Sequence, residues 1–150
     1  MEELLHFEDF TPGRVFELGT WAVTAEEIVD FGRRWDPLPF HTDLDAPADG
    51  PYGGLIASGR HSAMIWSRLW VDRVLLRAAS LGSPGMQEIR WHRPVRPGDV
   101  LAGTTTVAEA RVSRSRPGVG IVVLDGAVTN QDGEVATTVR YTAFVARRDA

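Results

Sequence analysis

One strand, one short helix, a loop, a long apolar helix and then about four strands in succession predict an α+β domain built on a single antiparallel sheet. Three observations carry this expectation. Apolar residues recur at helical spacing from Ser58 to about Leu81. From Gly85 onward they alternate instead, as a half-buried sheet requires. The alternating segments are separated by strong turn signals, Arg93 to Asp99, Arg114 to Gly118, and Asn130-Gln-Asp-Gly133. A sheet with one apolar face needs a cover, and the long helix is the only element able to supply it.

Each element has a local reason. Phe7 to Gly13 closes on a Pro-Gly turn, and Arg14 to Val23 then reads as a strand with Val15, Glu17, Gly19, Trp21 and Val23 on one side. Thr24 followed three residues later by Glu27 is a capping box that starts a helix, with Ile28, Phe31 and Trp35 as its apolar face. Pro37 disfavours helical geometry at Asp36, so this helix ends near Trp35 and leaves Asp36 on a bend. Residues 37–54 are rich in Pro, Gly and Asp and form a loop with room for one helical turn. In the long segment Ala63, Trp66, Trp70, Val74 and Ala78 mark one face, widened by Met64, Ile65, Leu69, Val71, Leu75, Leu76 and Ala79. A helix over about 58–81 would be roughly 33 Å long, and Gly82 and Pro84 stop it. In the last strand Val135, Val139, Tyr141, Ala143 and Val145 are expected on one face.

Composition narrows the function. A chain of 150 residues suits one domain, 1–150, and a net charge of −4 gives no basic field for nucleic acid. There is no cysteine, hence no disulfide, thiolate nucleophile or cysteine-held metal. All sixteen basic residues are arginine, which excludes a Schiff-base lysine and a Walker-type lysine. The acidic start MEELLHFEDF is unlike a secretory signal, and no apolar run approaches a membrane span, so a cytoplasmic protein without a membrane partner is expected.

Chemistry concentrates between Asp36 and Gly59. A carboxylate (Asp36), an imidazole (His41) and a helix start (Ser58-Gly59) lie close together in the chain. Proton transfer on a carbonyl compound uses such parts: a group titrating near neutrality, a carboxylate that environment can tune, and free amides for a developing oxyanion. An Asp/His pair at this spacing also arises as a helix-end carboxylate and a structurally bonded loop histidine. The acidic loop, with Asp43, Asp45 and Asp49 near His41 and His61, has no recognisable zinc spacing, and no metal is expected. The arginines of the 90–96 and 111–116 turns are candidate phosphate contacts, although solvated turns are their commoner role.

Taken together, the motifs resemble those of the MaoC-like dehydratases, close to the R-specific enoyl-CoA hydratases, over nearly the whole chain. The family places an aspartate five residues before a histidine and a proline two residues before it; Asp36, Pro39 and His41 match. A helix-opening glycine about eighteen residues after the histidine matches Gly59, and Ser67 occupies the position of a pocket serine two turns on. Leu38 stands where the family usually has Asn, and Ser58 where it usually has His.

The resemblance implies a hot-dog fold, a curved antiparallel sheet wrapped around one long central helix. It implies reversible addition of water to a trans-2-enoyl thioester on coenzyme A or acyl carrier protein. Asp36 and His41 would be the acid/base pair, and the Gly59 amide would bind the thioester oxygen. Ser67, Ser58, Leu38, Tyr52, Ile56 and Trp66 would be the substrate-binding residues, although an aromatic residue on a buried helix is also ordinary core. No cofactor is implied beyond coenzyme A as part of the substrate. A homodimer or higher homo-oligomer is implied, since one such unit leaves a sheet edge open. The competing readings are a hot-dog acyl-CoA thioesterase and an acyl-thioester binding protein without catalysis.

Overall fold

The computed structural model describes residues 2–149. After a 3-10 turn at Phe7–Asp9 come β1 (Val15–Ala22), α1 (Ala25–Trp35), α2 (Pro39–Thr42) and α3 (Gly59–Arg73). A second 3-10 turn, Leu75–Arg77, precedes β2 (Gly85–Trp91), β3 (Val100–Val112), β4 (Val119–Thr129) and β5 (Val135–Ala146). The five strands form one antiparallel sheet in the order β1-β3-β4-β5-β2. Helix α3 packs on β1, β3, β4 and β5, so the sheet is the wrapped layer and the helix its filling. Among the described residues no helix is long and apolar enough to cross a membrane.

The core lies between the concave face and α3. Trp66, Trp70, Ile65 and Leu69 point from the helix to Leu18, Leu101, Val122, Leu124 and Val145 of the sheet, all of them buried. Trp66 is among the most buried of these side chains. Its indole stacks on Trp70 with centroids 6.1 Å apart and donates through Nε1 to Thr105 Oγ1 at 3.1 Å. It lies against Gly126, where a Cβ would overlap the ring. Gly126 has no positive φ, so its missing side chain serves the indole and not the backbone.

Four local expectations differ from the structure. The long helix ends at Arg73 rather than near Leu81, giving fifteen residues and a length of about 22 Å. Beyond it the backbone finds partners elsewhere: Leu5 bridges Ala78, Ser80 bridges Val145, and Leu81 N–H donates to Phe144 O at 2.8 Å. Those bonds replace the internal ones of a continued helix, so tertiary pairing overrides the apolar period. In β1 the inward residues are Phe16 and Leu18, while Val15 is exposed. A bulge between Glu17 and Thr20 then shifts the phase, which a strict alternation cannot anticipate. On α1 the buried face is Ile28, Val29 and Gly32, and Trp35 is 66% exposed. In β5 a second irregularity opposite Thr129 buries Ala136 and leaves Val135 exposed.

Gly126→Ala should therefore force Trp66 out of its seat and destabilise the fold by about 1–3 kcal/mol through overpacking. Equilibrium urea unfolding checks this, with the midpoint expected to fall while the m-value is retained.

Candidate active site

Asp36 is placed by the end of α1. The Thr24–Glu27 capping box fixes where that helix starts, and Pro37 fixes where it stops. Asp36 is the C-cap, its N–H donating to Gly32 O at 2.8 Å and its backbone turned out of the helix at φ −156° and ψ 70°. His41 arrives on α2, a single turn opened by Pro39. Gly32 makes this approach possible, because a Cβ there would overlap the His41 carbonyl. The segment before α3 is extended, with Ile56 N–H donating to Phe40 O at 2.9 Å and Ala57 N–H to Val95 O at 2.8 Å.

These elements bring Asp36, His41, Ser58 and Gly59 together. His41 is buried, with Nδ1 2.8 Å from Ile56 O. A carbonyl only accepts, so Nδ1 carries the proton and Nε2 is the nitrogen left for chemistry. That nitrogen lies 3.4 Å from Asp36 Oδ2. The same oxygen accepts from Ser58 Oγ at 2.7 Å and from Arg60 Nη1 at 3.3 Å. Among the described residues no partner addresses the other oxygen, Oδ1.

Ser58 has a second consequence. It is the N-cap of α3, a position where serine normally accepts from the first-turn amides. Here its hydroxyl turns to Asp36, and no side-chain cap forms. His61 N–H already donates to Ser58 O at 2.9 Å, and the amides of Gly59 and Arg60, which have no intrahelical acceptor, carry the positive end of the helix dipole. A carboxylate, an imidazole nitrogen and a helix start with free amides thus meet at one place.

They open onto a cavity of about 380 Å³. Leu38, Tyr52 and Ile56 line it as expected from the sequence, with Asp36, His41 and Gly59. Ser58 stands behind, fully buried against Asp36. Two expected substrate contacts, Ser67 and Trp66, do not line the cavity. Trp66 is seated in the core against Gly126, and Ser67 lies two turns into α3, beyond the reach of the cavity.

Three residues that shape the site, Ser62, Arg60 and Trp91, were not anticipated from the sequence. Ser62 lines the cavity with its Oγ 2.8 Å from Thr137 Oγ1. Its spacing of three from Gly59 puts it on the same helix face, a signal the sequence does contain. Arg60 reaches Asp36 from the exposed side, and Trp91 on β2 packs against Gly59, where a Cβ would overlap its indole. Nothing local in the sequence announces those contacts. Of the turn arginines, Arg93 lines the cavity while paired with Glu134 at 2.8 Å, and Arg96 donates to Tyr52 O at 2.6 Å. Arg111 and Arg114 line a separate depression.

His61, next to this site, is buried and stacked on Phe31 with centroids 4.8 Å apart. Its Nδ1 has no hydrogen-bond partner among the described residues. Burial pushes its pKa below the ordinary 6.5, and the Glu27 carboxylate opposes the shift in part. The unfolded chain therefore binds this proton more readily than the folded one, and stability should fall as pH drops below about 6.5. His61→Phe retains the stack and removes the proton site. Thermal melts between pH 7 and pH 5 should show a smaller loss of Tm in the variant than in the parent protein.

Comparison with known proteins identifies the family and the fold. A family model described as MaoC like domain matches residues 9–130. A MaoC-like dehydratase from Rhodospirillum rubrum is 37% identical and superposes with a TM-score of 0.84, with 96% of this chain and 98% of that chain covered. The R-hydratase PhaJ1 from Pseudomonas aeruginosa shares the fold at a TM-score of 0.75 and 19% identity, over 97% of this chain and 88% of its own. The uncharacterized protein YdeM of Bacillus subtilis is 27% identical over 120 residues, which is 80% of this chain and 85% of that protein. With its long helix wrapped by one antiparallel sheet and the family match running across most of its length, the chain belongs to the MaoC-like dehydratase family and has the hot-dog fold.

Proposed function

We propose that the protein adds water reversibly to a trans-2-enoyl thioester, with Asp36 and His41 as the acid/base pair and the Gly59 amide as oxyanion donor. The observation that carries the reading is the approach of His41 Nε2 to Asp36 Oδ2, 3.4 Å apart beside the uncapped start of α3. Family membership supports the reaction class, and the R. rubrum relative bears the name MaoC-like dehydratase.

The chemistry follows from the placement. In hydration the water oxygen bonds to the β-carbon, the π pair of the double bond moves toward the α-carbon, and the thioester oxygen gains negative charge. One member of the pair takes the water proton; the other gives a proton to the α-carbon as the enolate collapses. Dehydration runs the same steps backward. His41 suits either role, because Nδ1 is held by Ile56 O and only Nε2 exchanges a proton. Asp36 is held through Oδ2 by Ser58 and Arg60, which leaves Oδ1 for a water molecule. The Gly59 amide donates to the enolate oxygen, a contribution of roughly 3 kcal/mol in comparable sites. No redox or metal cofactor enters this route.

The same reading includes a second copy of the chain. Strand β2 is a sheet edge, and Ile89 and Trp91 on it are exposed, a surface suited to a sheet-to-sheet homodimer. Coenzyme A as the carrier and a cytoplasmic setting complete the proposal.

Asp36→Asn and His41→Ala should each lower the hydration rate of enoyl-CoA substrates by at least about 100-fold while leaving the fold intact. Mass spectrometry of the products checks this and separates water addition from release of free thiol. Thiol release without hydration would contradict the proposed reaction.

A further inference from the structure

The cavity ends where a longer acyl chain would have to continue. Its innermost helix residue is Ser62, whose Oγ is 2.8 Å from Thr137 Oγ1 on β5. The inward residues that follow on β5 are Val139, which is buried, and Tyr141. The Tyr141 ring meets Trp66 edge-on with centroids 5.9 Å apart. Trp66 itself is only 1% exposed, and Gly126 has given up its side chain to seat the indole. Its N–H is bonded to Thr105 Oγ1, so the ring is anchored and not a loose filler. The space between α3 and the sheet beyond the Ser62–Thr137 pair is therefore occupied by protein.

We infer that this cavity is a short-acyl pocket, closed by the Ser62–Thr137 pair, with the anchored Trp66 indole filling the space behind it. The inference rests on the thioester reading, with the carbonyl at Gly59. From Gly59 to Ser62 the helix rises by about 4.5 Å, room for about four carbons of extended chain beyond the carbonyl. A bulkier acyl group must displace either the Ser62–Thr137 pair or the anchored indole.

Binding tests this without requiring turnover. Isothermal titration calorimetry with butyryl-, hexanoyl-, octanoyl- and decanoyl-CoA should show no gain in affinity beyond hexanoyl. An open apolar tunnel would instead gain roughly fourfold per added methylene, and an affinity that keeps climbing through decanoyl overturns the inference. In Trp66→Leu, with its fold verified by circular dichroism, octanoyl-CoA affinity should rise about tenfold over the parent protein. If that variant does not fold, the parent series decides alone. Parallel hydration assays keep the two readings apart: chain-length selectivity without turnover sinks the hydratase reading and leaves the pocket depth standing. Failure to bind any of the four thioesters overturns both.

Discussion

The hydrogen bond from Ser58 to Asp36 is the contact on which the site depends. It joins the residue that ends α1 to the residue that starts α3, twenty-two positions apart in the chain. One bond therefore does two things. It turns the carboxylate toward His41, and it removes the serine from the amides it would otherwise cap. A charge-assisted hydrogen bond to a largely buried carboxylate is among the stronger kinds. Arg60 adds to the same oxygen, but its side chain is 66% exposed and solvent screens most of that contribution.

The remaining structure serves to hold those two helix ends in place. α3 is fixed by its aromatic face against the sheet, with Trp66 and Trp70 stacked and buried. α1 is fixed by Ile28 and Val29, and α2 closes on α1 because Gly32 lets the His41 backbone approach. The imidazole is then oriented by a main-chain carbonyl, a partner that no side-chain rotation can withdraw. On the short-acyl proposal the same packing would bound the substrate pocket, since the Trp66 indole fills the space behind the Ser62–Thr137 pair.

Much of this was legible in the sequence, and the parts that were not have a common cause. The capping box, Pro37 and Pro39 are local signals, and they position Asp36 and His41 as expected. The order of elements was equally readable, because alternation and helical period are properties of short windows. What failed was anything set by distant backbone pairing. Residues 78–81 carry a helical apolar pattern yet pair with Leu5 and β5. The phase of β1 was lost at a bulge that only its pairing with β3 reveals. Within the site, Trp66 was expected at the pocket and lies in the core, because the sequence does not show that Gly126 faces it. Trp91 was missed for the same reason: its contact with Gly59 joins an edge strand to a helix start. Ser58, a departure from the family pattern, proves to be the bond that organises the site.

The central claim is that Asp36 and His41 act on one face of a bound enoyl thioester. Running the hydration in deuterium oxide and reading the product by NMR addresses it directly. On this claim two groups 3.4 Å apart would deliver the hydroxyl and the α-deuterium to the same face, so a single syn diastereomer is predicted. An anti product, or a mixture of the two at the α-carbon, would contradict the account.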